Sequence, residues 1–100
     1  MSLLDLRAAQ VRLDGIAVRT PLTRLGLPGD VPEIFVKLES LQPIGSFKIR
    51  GAANAMALAG RDAFAGGGYT ASAGNMAQGV AGCARELGVP CTDIVPDTAP

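Results

Sequence analysis

Apolar residues recur at Leu3, Leu6, Ala9 and Leu13 with polar positions between them, a period that predicts a helix over residues 3–13 ended by Gly15. Thr20-Pro21-Leu22-Thr23-Arg24-Leu25 reads as a short strand, with Pro21 near its start where a missing N–H is tolerated. The run Gly-Leu-Pro-Gly-Asp-Val-Pro at 26–32 is turn-rich and suits a hairpin. Residues 33–39 then alternate as a second strand. Ile34, Val36 and Leu38 fall on one face, and Phe35, Lys37 and Glu39 on the other, with Lys37 paired to Glu39.

Beyond a loop at 42–45, Ser46 is a good N-cap for a helix reaching Ala59, and Gly60 a good stop. Gly66-Gly67-Gly68 leads into a strand at 69–71. A further helix is expected over 75–87, with Met76, Val80, Cys83 or Ala84, and Leu87 as its apolar stripe. Gly88 and Pro90 close it, and residues 91–95 form another strand ended by Pro96. Strand–helix–strand–helix–strand implies a parallel α/β layer with right-handed crossovers.

Composition narrows the function classes. Nine basic residues balance nine acidic ones without a charge run, which argues against nucleic acid or a membrane surface as partner. The apolar share of 48% is enough for a core and argues against disorder. The N-terminus, with Asp5 and Arg7, shows no signal-peptide pattern, and no stretch approaches the ~18 apolar residues of a membrane span. Histidine is absent, which removes His-based metal sites and Ser-His-Asp chemistry. Cys83 and Cys91 lack metal spacing and read as free thiols of a reducing cytosol.

Two segments carry chemistry. Gln42-Pro43-Ile44-Gly45-Ser46-Phe47-Lys48-Ile49-Arg50-Gly51 puts a lysine at the mouth of a strand–loop–helix unit. Ser72-Ala73-Gly74-Asn75-Met76-Ala77-Gln78-Gly79 puts a polar, Gly-containing loop at the mouth of the next helix. An amine beside a helix N-terminus in an apolar pocket has its cationic form disfavoured, and the neutral amine attacks aldehydes or accepts a proton. The plain alternative is a solvated lysine in a first helical turn. At the second loop, backbone N–H groups and the helix dipole favour an anion, and Gly74 allows close approach or a positive φ. The plain alternative there is Ser72 or Asn75 as an ordinary N-cap. Gly66-Gly67-Gly68 precedes a strand and has no following Lys-Ser/Thr, so it is a connector rather than a phosphate loop.

Ser46-Phe47-Lys48-Ile49-Arg50-Gly51-Ala52 together with Ser72-Ala73-Gly74-Asn75 resembles the N-terminal portion of fold-type II pyridoxal-phosphate enzymes, most of all the threonine/serine dehydratases (threonine ammonia-lyases). The resemblance runs from about Thr20 to Pro100. It implies a tryptophan-synthase-β-like parallel-sheet architecture, of which this chain holds only the N-terminal segment. Residues 1–50 would begin the large cofactor-binding domain, including the Schiff-base lysine, and residues 51–100 the small domain with the substrate-carboxylate loop. It further implies that Lys48 carries pyridoxal 5'-phosphate and moves the Cα proton, and that Phe47 lies beside the cofactor ring, where the residues alone also allow a core aromatic. Asn75 would bond the cofactor's phenolic oxygen, and Ser72, Ala73, Gly74, Asn75 and Gln78 would hold the substrate carboxylate. The family's phosphate cup and pyridine-nitrogen contact would fall beyond Pro100.

Two departures bear on the reaction. Met76 stands where histidine is commoner, removing a polar group near the carboxylate pocket. Ala73 stands where racemases of the family tend to carry a hydroxyl as second acid/base, so β-elimination of L-threonine or L-serine to a 2-oxo acid and ammonia is favoured over racemisation. A racemase, a β-replacement lyase and a non-catalytic fragment are the alternatives. The implied partner is a small amino acid, and the family implies a cytoplasmic homo-oligomer at full length.

Overall fold

The computed structural model describes residues 1–99. Helix α1 spans Leu3–Arg12. Its start is fixed by a capping box: the Asp5 N–H donates to Ser2 Oγ at 3.2 Å, and the Ser2 N–H to Asp5 Oδ2 at 2.6 Å. Strands β1 (Leu22–Arg24) and β2 (Phe35–Lys37) form the expected antiparallel hairpin, with Thr23 opposite Val36. Helix α2 (Lys48–Ala59) ends at Gly60, whose φ of 78° suits glycine. Strand β3 (Gly68–Ala71), helix α3 (Asn75–Leu87) and strand β4 (Cys91–Ile94) form a parallel βαβ unit in which Gly68 pairs with Cys91 and Ala71 with Ile94. The bounds of α3 match the sequence reading, and Gly88 closes it in the left-handed conformation.

The core is the seam between α2 and α3. Ile49, Ala52, Ala53 and Met56 recur at helical spacing on α2 and are buried against Gly79, Cys83 and Ala84 of α3. Small residues let the two backbones approach closely. A methyl placed on Gly79 would lie 3.4 Å from the Lys48 carbonyl carbon and oxygen and from Ile44 Cδ1, and one on Gly82 3.2 Å from Ile44 Cγ2. The first turn of α2 therefore rests directly on the second turn of α3.

Several expectations are corrected. The strands do not share one parallel layer: β1 and β2 form one two-stranded sheet, and β3 and β4 another. The hairpin ladder is short because Glu39 leaves it for a 3₁₀ turn, Glu39–Leu41, and a second such turn spans Arg61–Phe64. Neither face of β2 is buried, since no layer packs on the hairpin. Ser46 is not the N-cap of α2. Phe47 takes that place in helical conformation, and Ser46 Oγ accepts a long 3.4 Å bond from the Lys48 N–H. Glu39 pairs not with Lys37 but with Arg50, and the Lys37 ammonium donates to the Thr20 carbonyl oxygen. Both cysteines are free, as expected. Cys83 lies in the seam, where burial pushes its thiol pKa up. Among the described residues no helix is long and apolar enough to cross a membrane.

The seam makes a graded prediction at Gly79. Gly79→Ala should be near neutral, because a helix-propensity gain of roughly 1 kcal/mol offsets an ordinary contact. Gly79→Val should cost about 1–3 kcal/mol by overpacking against the Lys48 carbonyl. Denaturant midpoints of the two variants check this, and equal midpoints would refute the close approach.

Candidate active site around Lys48 and the α3 N-terminus

Lys48 is the first residue of α2 and is half-buried. Its Nζ lies 5.0 Å from the centroid of the Phe47 ring, within cation–π range. Phe47 itself is 56% exposed, which overturns its reading as a core aromatic and leaves its ring open beside the amine. The contact of Gly79 with the Lys48 carbonyl brings the two motifs together, because Asn75 lies one turn before Gly79 on α3.

At the other side of that contact, α3 begins without a side-chain cap. Gly74 occupies the N-cap position, so neither Ser72 nor Asn75 is the ordinary cap that the sequence also allowed. Ser72 Oγ instead accepts from the Gly74 N–H at 3.3 Å, and the Gln78 N–H donates to the Gly74 carbonyl at 3.2 Å. Gly74 has φ −145°, not the positive φ considered from sequence, and a methyl built there would meet nothing within 4 Å. Ala73, Gly74, Asn75 and Gln78 are exposed and Ser72 is half-buried. An uncapped helix start with an open approach is suited to a carboxylate or another anion.

A roomy hollow lies elsewhere. A cavity of about 730 Å³ runs between α1, α2 and β2, lined by Leu6, Leu13, Arg19, Lys37, Arg50 and Asn54 among others, and includes neither Lys48 nor residues 72–75. Lys37 and Arg50 in its wall are already engaged, by the Thr20 carbonyl and by Glu39. The amine of Lys48 and the open helix start make the motif pair the better candidate.

Sequence reasoning missed the polar network that holds the Lys48 segment. Arg50 Nε and Nη2 donate to Glu39 Oε2 and Oε1, each at 2.8 Å, a two-pronged ion pair. Thr20 Oγ1 donates to Glu39 Oε1 at 2.5 Å, and Gln42 Nε2 to Glu39 Oε2 at 3.2 Å. Gln42 is buried and brackets the backbone of one residue from both sides: its Oε1 accepts from the Val18 N–H at 2.9 Å, and its Nε2 donates to the Val18 carbonyl at 2.8 Å. Arg50 Nη2 adds a 2.9 Å bond to the same carbonyl. The Arg50 guanidinium is the main reason the Glu39 carboxyl is lowered from 4.5 to about 2; desolvation opposes this, and Thr20 and Gln42 add to it. The only sequence signal was a cluster of polar residues flanking the lysine motif.

The chain was compared with known proteins. The family described as pyridoxal-phosphate dependent enzyme matches residues 13–100. An L-threonine ammonia-lyase of Thermotoga maritima is 42% identical over 102 residues, covering 100% of this chain and 25% of that protein. Among solved structures, a pyridoxal 5'-phosphate-dependent aspartate racemase superimposes with TM-score 0.88 at 33% identity, covering 100% of this chain and 32% of that one. The processed form of threonine deaminase isoform 2 from Solanum lycopersicum superimposes with TM-score 0.76 at 31% identity, covering 100% of this chain and 30% of that one. The chain thus spans about a quarter to a third of the length of these relatives.

The Glu39 network predicts a signed pH dependence. A carboxyl whose folded pKa lies below its ordinary value contributes stability that is complete above about 4.5 and is lost as pH falls toward about 2. Melting temperature should therefore fall across that window in the unchanged chain and fall less steeply in Glu39→Gln. Parallel pH profiles of the two would contradict the assignment.

Proposed function

The chain belongs to the pyridoxal-phosphate-dependent enzyme family and has the fold of its fold-type II members, and from that premise we propose that it forms part of an ammonia-lyase acting on L-threonine or L-serine. The observation that carries the proposal is the close approach of Gly79 to the Lys48 carbonyl, which packs the turn of α2 that begins with Lys48 against the turn of α3 that follows its uncapped start. This donor set fits the cofactor's chemistry: Lys48 would hold pyridoxal 5'-phosphate covalently, with Phe47 beside its ring and Asn75 donating to its phenolic oxygen. When bound, that group supplies a sink for the electron pair left on Cα.

The chain's own residues do the rest. The backbone N–H groups of Asn75 and Met76 at the start of α3, with Ser72 and Gln78 nearby, bind and orient the substrate carboxylate. The Lys48 amine is the group that takes the Cα proton. Ala73 offers no group that could return a proton from the opposite face. The β-hydroxyl leaves with a proton as water, and a water molecule then hydrolyses the resulting enamine, through its imine form, to a 2-oxo acid and ammonia. The same reading assigns residues 1–50 to the large domain and 51–100 to the small one, consistent with the separate sheets of β1–β2 and β3–β4.

A racemase is the second reading, and the aspartate racemase superposition favours it. Ala73 weighs against it, because two-sided proton transfer needs an acid on each face.

Two outcomes test the proposal. Treatment with pyridoxal phosphate, then borohydride, should label Lys48 in preference to Lys37 by peptide mass mapping, and Lys48→Ala should lose the label. Equal labelling of both lysines would refute the assignment. In addition, the 100-residue chain alone should release almost no 2-oxo acid from threonine or serine, while a longer chain containing it should turn over and fall by orders of magnitude on Lys48→Ala. D-serine from L-serine, or D-allo-threonine from L-threonine, as the main product of that longer chain would instead establish the racemase.

A further inference from the structure

We propose that Glu39 is a positioning residue for Lys48, acting through Gln42 on the chain before the lysine and Arg50 on the helix after it. The proposal rests on reading Lys48 as the reactive amine, but its structural argument is independent. Residues 42–47 belong to no helix or strand, and the first N–H groups of α2 are held by a long 3.4 Å contact from Lys48 to Ser46 Oγ and a 3.1 Å bond from Arg50 to the Phe47 carbonyl, with no side-chain cap. A helix start so held would fray and carry Lys48 with it.

The Glu39 carboxylate prevents this from both flanks. Arg50, two residues after Lys48, docks both of its prongs on it. Gln42, six residues before Lys48, is 4% exposed, bonds the same carboxylate and clamps both polar groups of Val18. Shifting the Lys48 turn along the α2 axis must therefore break a paired guanidinium–carboxylate contact or expose the Val18 bracket. Across the seam, Gly79 blocks retreat of the Lys48 carbonyl. All of these restraints act on neighbours or on backbone. The Lys48 Nζ lies by the Phe47 ring and, among the described residues, makes no hydrogen bond or ion pair, so the site fixes the residue while leaving its nitrogen available.

Two conservative variants test the role, one for each flank of Lys48. Arg50→Lys keeps the charge but cannot engage both carboxylate oxygens, and Gln42→Met keeps the buried volume but releases Val18. Each is measured beside the unchanged chain, with helix content followed by circular dichroism. The first readout is the ring-current shift that Phe47 imposes on the Lys48 ε-methylene protons. The second is the yield of pyridoxal-phosphate label trapped on Lys48 by borohydride, relative to the Met1 amine.

In variants that retain helix content, the ring-current shift should collapse toward its unstructured value. The Lys48-to-Met1 label ratio should fall about tenfold, well within the loss that a misplacement of ~1 Å can cause. An unchanged shift and ratio in both variants would overturn the positioning role. Loss of the shift in the variants, with no preferential Lys48 labelling even in the unchanged chain, would uphold the positioning role and overturn the cofactor reading alone.

Discussion

The arrangement around Lys48 depends on one carboxylate. Glu39 stands where the hairpin ladder ends, and it draws together three stretches of chain that no sheet or helix connects: Thr20 before β1, Gln42 in the loop, and Arg50 on α2. A buried or half-buried ion pair is weak support for stability in general, because desolvation opposes the attraction. Here the geometry shifts the balance. The guanidinium meets both oxygens, a hydroxyl and an amide fill the remaining acceptor sites, and the carboxyl is lowered to about 2. A fully satisfied network of this kind specifies one arrangement rather than merely favouring compactness.

The second constraint is the absence of side chains at Gly79 and Gly82. The apolar seam is built largely from alanine, so it buries modest area and relies on proximity for its contacts. The rest of the chain is more open than usual. Its radius of gyration is 16.4 Å, against about 13 Å for a typical domain of 100 residues. Leu3, Leu22 and Phe35 remain exposed. Rigidity is therefore concentrated where α2 crosses α3, which is also where the candidate site lies.

Legibility in the sequence followed the range of the interactions. Helix α3 was legible to the residue because its stripe and the glycine that closes it are local signals. The hairpin was legible from its turn residues. The start of α2 was misread by one residue, since a serine before a helix is a cap only if its backbone is extended, and here Phe47 is already helical. The 3₁₀ turns at Glu39–Leu41 and Arg61–Phe64 were missed because three or four residues carry no periodicity. Lys37 was assigned to Glu39 by strand alternation, a rule that fails once Glu39 leaves the strand. The Arg50 partner lies eleven residues away across a loop, and nothing local announces it. The motif residues themselves were legible only by resemblance, since a lone lysine and an uncapped helix start are individually ordinary.

Fold and reaction separate at this point. The aspartate racemase and the threonine deaminase share the chain's architecture at TM-scores of 0.88 and 0.76, so shape alone cannot choose between moving a proton across Cα and expelling a β-substituent. The choice rests on which groups can carry protons. Under the proposed reading, the chain supplies one such group, the Lys48 amine, held in place by Glu39 from both flanks and from behind by Gly79. Under the same reading Ala73 would stand where a racemase needs an acid, and an alanine methyl moves no proton. With a single proton acceptor, a carbanion at Cα can be reprotonated from the face it came from or lose its β-hydroxyl. Only the second route yields a product different from the substrate, and it makes precise positioning of one amine the feature on which the reaction depends.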